Sequence, residues 1–321
     1  MPRDDPPNAA EPALVGNTQV RTWRPGRPVD LAATLAPMRR GPGDPTFRHV
    51  DGGIWRTTRT PDGPATVRIA VHAGDGAVVG TAWGPGAGWA LDALPDLLGA
   101  GDDPSGFVPV HDVVREGWRR RGGWRVPRSA RVMEALVPAV LEQKVTGREA
   151  FQAFRRLVRR YGEPAPGPSD VLPEGLMVVP DSPTWARVPS WEWHQAGVDQ
   201  SRSRTTVGAA GRAGRLEALV DRPTDEAAVA LQTLPGIGRW TAAEVGQRAL
   251  GDADAVSVGD FHLAAQVGWA LVGEKVDDDA MLELLEPYRG HRYRAVRMIE
   301  LVGIAAPRRG PRYAGRDYRA M

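Results

Sequence analysis

The chain has 321 residues, 42% hydrophobic and 25% charged, with a formal net charge of +2 and no cysteine. That length suits about two domains with an ample core. The absence of cysteine excludes disulfides, thiol catalysis and a cysteine-held iron–sulfur cluster. No run of residues approaches the roughly 18 apolar positions of a membrane helix. The polar, proline-rich start Met1-Pro2-Arg3-Asp4-Asp5-Pro6-Pro7 is unlike a signal peptide, so a cytoplasmic protein is expected.

In chain order, residues 1–20 read as a disordered tail. Residues 21–110 carry strand patterns. Gly53–Thr60 and the run 65–72 alternate across two faces and are joined by the turn Pro61-Asp62-Gly63-Pro64. The stretch 76–83 reads as a third strand, and helices are expected near 30–38 and 89–98. These make a small α/β domain on an antiparallel sheet. From His111 the pattern is helical. Met133, Leu136, Val137, Val140 and Leu141 form one stripe, with Pro138 inside it predicting a bend or boundary. Phe151, Phe154, Leu157 and Val158 continue the pattern to Gly162. Residues 163–183 are proline-rich and read as a linker. Helices follow at 194–213, 224–232, 240–250, 261–272, 277–285 and 293–303. The expected class is therefore α+β: a sheet domain over 21–110, a helical region over 111–306 and a basic tail over 307–321.

Almost all the cations are arginine, since only Lys144 and Lys275 are lysine. Arginine binds phosphate through two parallel hydrogen bonds, although the same bias also arises from a GC-rich genome. Clusters at 115–128, 155–160, 202–215 and 289–319 suit a protein that grips a short duplex.

The densest signal is Leu234-Pro235-Gly236-Ile237-Gly238-Arg239-Trp240-Thr241-Ala242, followed by Val258-Gly259-Asp260-Phe261-His262. A Gly-x-Gly turn opening a helix presents free backbone N–H groups at the positive end of the helix dipole, a ready site for a phosphate. One carboxylate 20 residues beyond Trp240 suits work on a bond that gains positive charge. Asp260 also reads as a plain N-cap of the next helix.

On these residues the chain resembles the helix-hairpin-helix DNA glycosylases, and within them the 3-methyladenine DNA glycosylase II branch of alkylation repair. The resemblance extends over roughly 21–306. It implies a monofunctional glycosylase that releases alkylated purines such as 3-methyladenine and 7-methylguanine, with Asp260 as the catalytic residue. Trp240 stands where bifunctional members hold a nucleophilic lysine, so base release without strand cleavage is expected. Trp240 reads either as a stacking wall for an everted base or as core packing. Glu244 stands at an aromatic position of the pocket, and reads either as a base contact or as a solvent-facing side chain. The hairpin residues Leu234, Gly236, Ile237, Gly238, Arg239 and Thr241 are expected to bind DNA. So are Gln143 and Lys144, the latter as a wedge in the base stack or as a phosphate contact. Trp185, Trp191 and Trp193 read as core or domain-seam residues, with a place in the pocket as the other reading. His262 reads as a structural or surface residue. No cofactor is implied beyond a Na⁺ or K⁺ held by the carbonyls of Gln232, Leu234 and Ile237. The implied partner is duplex DNA carrying a damaged base, bound by a monomer. Two alternatives stay open: a non-catalytic DNA-binding protein that kept the hairpin, and a glycosylase for deaminated bases such as hypoxanthine or uracil.

Overall fold

The computed structural model describes residues 18–50 and 52–304. The expected C-terminal tail, 307–321, and most of the expected N-terminal tail lie outside the described residues.

Five strands form an antiparallel sheet: β1 (Gln19–Trp23), β2 (Phe47–Val50), β3 (Gly53–Thr60), β4 (Gly63–Val71) and β5 (Val78–Trp83). Their order is β1-β5-β4-β3-β2, so β1 and β2 are the edges. The β3–β4 register pairs Ile54 with Ile69 and Arg56 with Val67, and closes at Thr60 opposite Gly63. Ile54, Val67, Ile69, Val78 and Ala82 form the sheet's core with Leu31, Leu35, Leu91 and Leu94 from the short helices Leu31–Leu35, Ala87–Asp92 and Leu94–Leu97. β1 begins at Gln19, inside the stretch expected to be tail.

The rest of the described chain is helical apart from one short strand pair. One apolar cluster is built from the helices Val132–Glu142, Gly147–Tyr161, Gln200–Ala210, Thr224–Gln232 and Arg239–Val245. A second joins Asp112–Arg121, Leu263–Val272, Asp278–Leu285 and Arg292–Val302. Pro138 lies within its helix and does not end it. The capping box of Thr146 and Glu149 starts Gly147–Tyr161 afresh. The expected helix over 194–213 is broken into Ser190–Gln195, Gln200–Ala210 and Ala213–Glu217, because Asp199 caps a new helix.

Residues 163–183 are not a free linker. The strand β6 (Glu163–Pro164) pairs with β7 (Met177–Val178). The Met177 N–H donates to Pro45 O at 2.8 Å, and its carbonyl accepts from Thr57 Oγ1 at 2.6 Å. Leu176 packs with the stacked pair Trp55–Trp83, whose centroids are 5.4 Å apart. The segment thus straps one face of the sheet. A second tie comes from Glu134, which accepts from Thr58 Oγ1 at 2.8 Å and from Arg56 Nη2 at 3.3 Å. It binds helix Val132–Glu142 directly to β3.

Candidate functional site

The turn 234–238 connects helix Thr224–Gln232 to helix Arg239–Val245. Leu234 O accepts from Ile237 N–H at 3.1 Å, closing the turn. Ile237 is buried between two exposed glycines, and its burial anchors the hairpin with about 1.5–3 kcal/mol. Gly236 has φ +86°, and a Cβ there would come within 2.0 Å of Thr205 Oγ1. Both facts require glycine. Gly238 is different. Its φ is −103°, and a Cβ there would meet nothing, so its backbone lies open on the surface.

Gln143 docks onto this hairpin. Its Nε2 donates to Gly236 O at 2.9 Å and to Thr241 Oγ1 at 2.8 Å. That brace sets the neighbouring Lys144 beside the turn, exposed and with φ +57°. Non-glycine residues in this region carry backbone strain, which is found most often at functional sites. Among the described residues, the exposed Lys144, Arg148, Arg204 and Arg239 have neither an ion-pair nor a hydrogen-bond partner. Many arginines of the sequence clusters are otherwise engaged. Arg115 pairs with Asp112, Arg121 with Asp30, Arg128 with Asp96, Arg202 with Asp199, Arg292 with Asp254 and Arg294 with Asp102. Run-length in sequence therefore overstated the free positive surface.

Asp260 lies in the loop that leaves the first helical cluster and enters the second. Its Oδ1 accepts from His262 N–H at 2.8 Å and from Leu263 N–H at 3.1 Å. Its Oδ2 accepts from Trp240 Nε1 at 3.2 Å. Asp260 is not the N-cap, a position that His262 takes ahead of the helix starting at Leu263; its carboxylate instead holds the backbone N–H groups at that entry. The Trp240 bond shows that the same carboxylate faces the hairpin helix. Trp240 and Asp260 are both partly exposed. Phe261, beside them, is 87% exposed, and the sequence assigns it no role. His262 is exposed, as expected.

Glu244 is not solvent-facing. It is 8% exposed, pairs through Oε2 with Arg248 Nη1 at 2.7 Å, and accepts at Oε1 from Ser257 Oγ at 2.7 Å. Both oxygens are occupied by protein. Burial works against the Arg248 charge, and Glu244, together with Tyr293 and Glu142, outweighs it and holds the pKa above the ordinary value. Burial lowers the pKa of nearby Arg40, against the pull of its partner Glu142 at 2.9 Å.

Trp185 and Trp193 are buried and stacked, 5.7 Å between centroids, while Trp191 is 62% exposed. The first two are core residues. The three carbonyls expected to hold a cation bracket the tight turn. Leu234 O keeps a second lone pair beyond its bond to Ile237, and oxygen donors suit a hard cation.

This arrangement, a glycine turn between two helices with a carboxylate across from the second helix and an antiparallel sheet alongside, defines the fold of the helix-hairpin-helix DNA glycosylases. Comparison with solved structures bears this out. The 3-methyladenine DNA glycosylase of Archaeoglobus fulgidus superposes with a TM-score of 0.69 at 18% identity, covering 88% of this chain and 97% of that one. The 8-oxoguanine glycosylase/lyase of Clostridium acetobutylicum gives 0.65 at 10% identity, over 89% and 96%. The likeness to these glycosylases is one of fold. In sequence it is similar to the probable bifunctional transcriptional activator/DNA repair enzyme AlkA of Mycobacterium tuberculosis, 30% identical over 177 residues. That match takes in 54% of this chain but only 33% of the relative, so the chain spans about a third of the curated relatives it matches. No family model matches.

Proposed function

We propose that the protein is a monofunctional DNA glycosylase of base-excision repair acting on alkylated purines. The observation that carries this reading is the Asp260 carboxylate bonded to Trp240 on the first turn after the glycine hairpin. An everted nucleotide whose phosphate rests on the Gly236–Gly238 turn would bring its sugar towards that carboxylate. Breaking the C1′–N bond leaves positive charge on the deoxyribose, and the negative Asp260 stabilises it. The bonding electrons leave with the base, which departs neutral if it was cationic. Water then adds to C1′, and its proton passes to Asp260 or to solvent. The result is a free base and an abasic site.

Trp240 has no amine to attack C1′, so no Schiff base forms and the strand stays intact. A cationic purine stacks favourably on indole. Lys144, Arg148, Arg204 and Arg239 supply unpaired charge for the DNA backbone around the hairpin. The A. fulgidus neighbour and the M. tuberculosis relative, both named for alkylation-type or DNA repair, support the choice of substrate class. The carbonyls of Gln232, Leu234 and Ile237 would hold a Na⁺ or K⁺ that meets the phosphate. The protein is taken to act as a monomer.

The test is a set of duplexes each carrying one lesion: 3-methyladenine, 7-methylguanine, hypoxanthine or uracil. Cleavage of the methylpurine duplexes only after alkali, with no borohydride-trapped adduct, supports the reading. Release of hypoxanthine or uracil alone, or strand cleavage without alkali, contradicts it.

A further inference from the structure

The buried polar chain behind Asp260 has no part in the reaction proposed above. Glu244 Oε1 accepts from Ser257 Oγ at 2.7 Å. Ser257 Oγ in turn accepts from Gln247 Nε2 at 2.9 Å, and the same Nε2 donates to Ala255 O at 2.9 Å. Ser257 O accepts from Asp260 N–H at 3.1 Å. Glu244, Gln247 and Ser257 are 8%, 5% and 4% exposed. A continuous run of hydrogen bonds therefore joins the second hairpin helix to the turn that carries Asp260.

A buried carboxylate with no function is costly, and here it is retained with a matched cation. Arg248 supplies the cation and is itself held by Pro37 O at 2.8 Å through Nε. Its position is thus set from outside the hairpin helix. Gly259, next to Asp260, has φ +91°, and a Cβ there would meet nothing. The turn is closed by its own Asp260 N–H to Ser257 O bond, and the Ser257 hydroxyl is where the buried Glu244 carboxylate attaches to it.

We propose that Glu244 is a positioning residue. Through Ser257 it fixes the turn 257–260, so that the Asp260 carboxylate stands ready against Trp240 before DNA arrives. Glu244 then acts without touching the base. This rests on Asp260 being the catalytic residue, and the test separates the two claims.

Ser257→Ala cuts the chain at a neutral site and leaves the Glu244–Arg248 pair in place. Two readouts are compared in the full chain. Amide hydrogen exchange over 257–263 reports whether His262 N–H and Leu263 N–H are still held by Asp260, with Asp260→Ala marking full release. Single-turnover base release from a 7-methylguanine duplex reports chemistry, and affinity for an abasic duplex reports binding. The expected result for Ser257→Ala is exchange faster by about tenfold and base release slower by about tenfold, with abasic affinity changed less than about twofold. Ser257→Thr, which keeps the hydroxyl, restores both. Glu244→Gln, which keeps an acceptor for Ser257 but loses the charge, falls between wild type and Ser257→Ala. Unchanged exchange over 257–263 in Ser257→Ala overturns the proposal. Faster exchange in Ser257→Ala, together with a wild-type protein that releases no methylpurine, leaves the brace standing and sinks the functional reading instead.

Discussion

The Trp240 indole N–H donates to Asp260 Oδ2 at 3.2 Å across 20 residues of chain, tying the helix that follows the hairpin to the loop ahead of helix Leu263–Val272. Asp260 Oδ1 is meanwhile fixed by two backbone N–H groups. The carboxylate is therefore oriented by three donors from two elements. Trp240→Phe keeps an aromatic face and removes only the indole donor. We expect single-turnover base release to fall by about tenfold, the loss typical of one hydrogen bond to a charged group, with little change in duplex affinity. An unchanged rate would mean that the indole N–H has no part in placing the carboxylate.

The two hairpin glycines separate stability from binding. Gly236→Ala forces φ +86° on a Cβ that would collide with Thr205, so the denaturation midpoint should fall by an amount equivalent to about 2 kcal/mol or more. Gly238→Ala sits in open space at an ordinary φ. Its stability should stay within about 0.5 kcal/mol of wild type, while duplex affinity drops because the methyl group occupies the approach to the backbone N–H groups. Equal effects on both properties in both variants would show that the turn does not face DNA.

Arg239 and Lys144 are exposed and unpaired among the described residues. Replacing either with Ala should weaken binding to every duplex alike. If each touches one phosphate, the slope of log K against log salt should shrink by about 0.9 per variant. Lys144→Gly adds a further check, because it removes the charge while relieving the φ +57° backbone. It should lose the same salt dependence as Lys144→Ala and be the more stable of the two.

Acid should act through the caps. Burial alone would raise the Asp199 carboxyl, but the Arg202 backbone N–H at 3.0 Å, its guanidinium at 2.6 Å and its charge carry the pKa below the ordinary value. A depressed carboxylate contributes stability that is complete above its unfolded pKa, near 3.8, and is lost as pH falls through the lower folded value. Asp199 also neutralises Arg202, which is 2% exposed and donates to Leu141 O at 2.7 Å, close to the corner that holds Gln143 and Lys144. Asp199→Asn should cost about 2 kcal/mol at pH 7, less than a fully buried pair because the carboxylate is 42% exposed. The difference from wild type should shrink as pH falls below about 3.8. A pH-independent difference would show that the charge of Asp199 is not its source.

How much of this was legible in sequence depended on whether the signal was local. β3 and helix Thr224–Gln232 appear with the expected bounds, because alternation and helical spacing are carried within each segment. β1 and β2 went unread. Both are short edge strands whose identity comes from pairing with β5 and β3 rather than from their own pattern. The prolines of 163–183 looked like a linker, but the strap they form depends on Pro45, Thr57 and the Trp55–Trp83 stack, all over 100 residues away in the chain or nearly so. In the site, Trp240 and Asp260 were readable because glycine, tryptophan and aspartate are specific residue types at a fixed spacing. Glu244 was not, since its burial depends on Ser257 and Arg248, and neither of those carries a motif. The arginine clusters misled for the same reason: sequence counts the cations but not the carboxylates that fold against them.

The most direct measurement is single-turnover release of 7-methylguanine from a duplex by wild type and by Asp260→Asn, with affinity for an abasic duplex measured alongside. Asparagine keeps the acceptor oxygen that holds the Leu263 N–H but removes the negative charge. The account predicts a fall in base release of about 10²-fold or more with affinity within about threefold of wild type. Release at the wild-type rate by Asp260→Asn would contradict it.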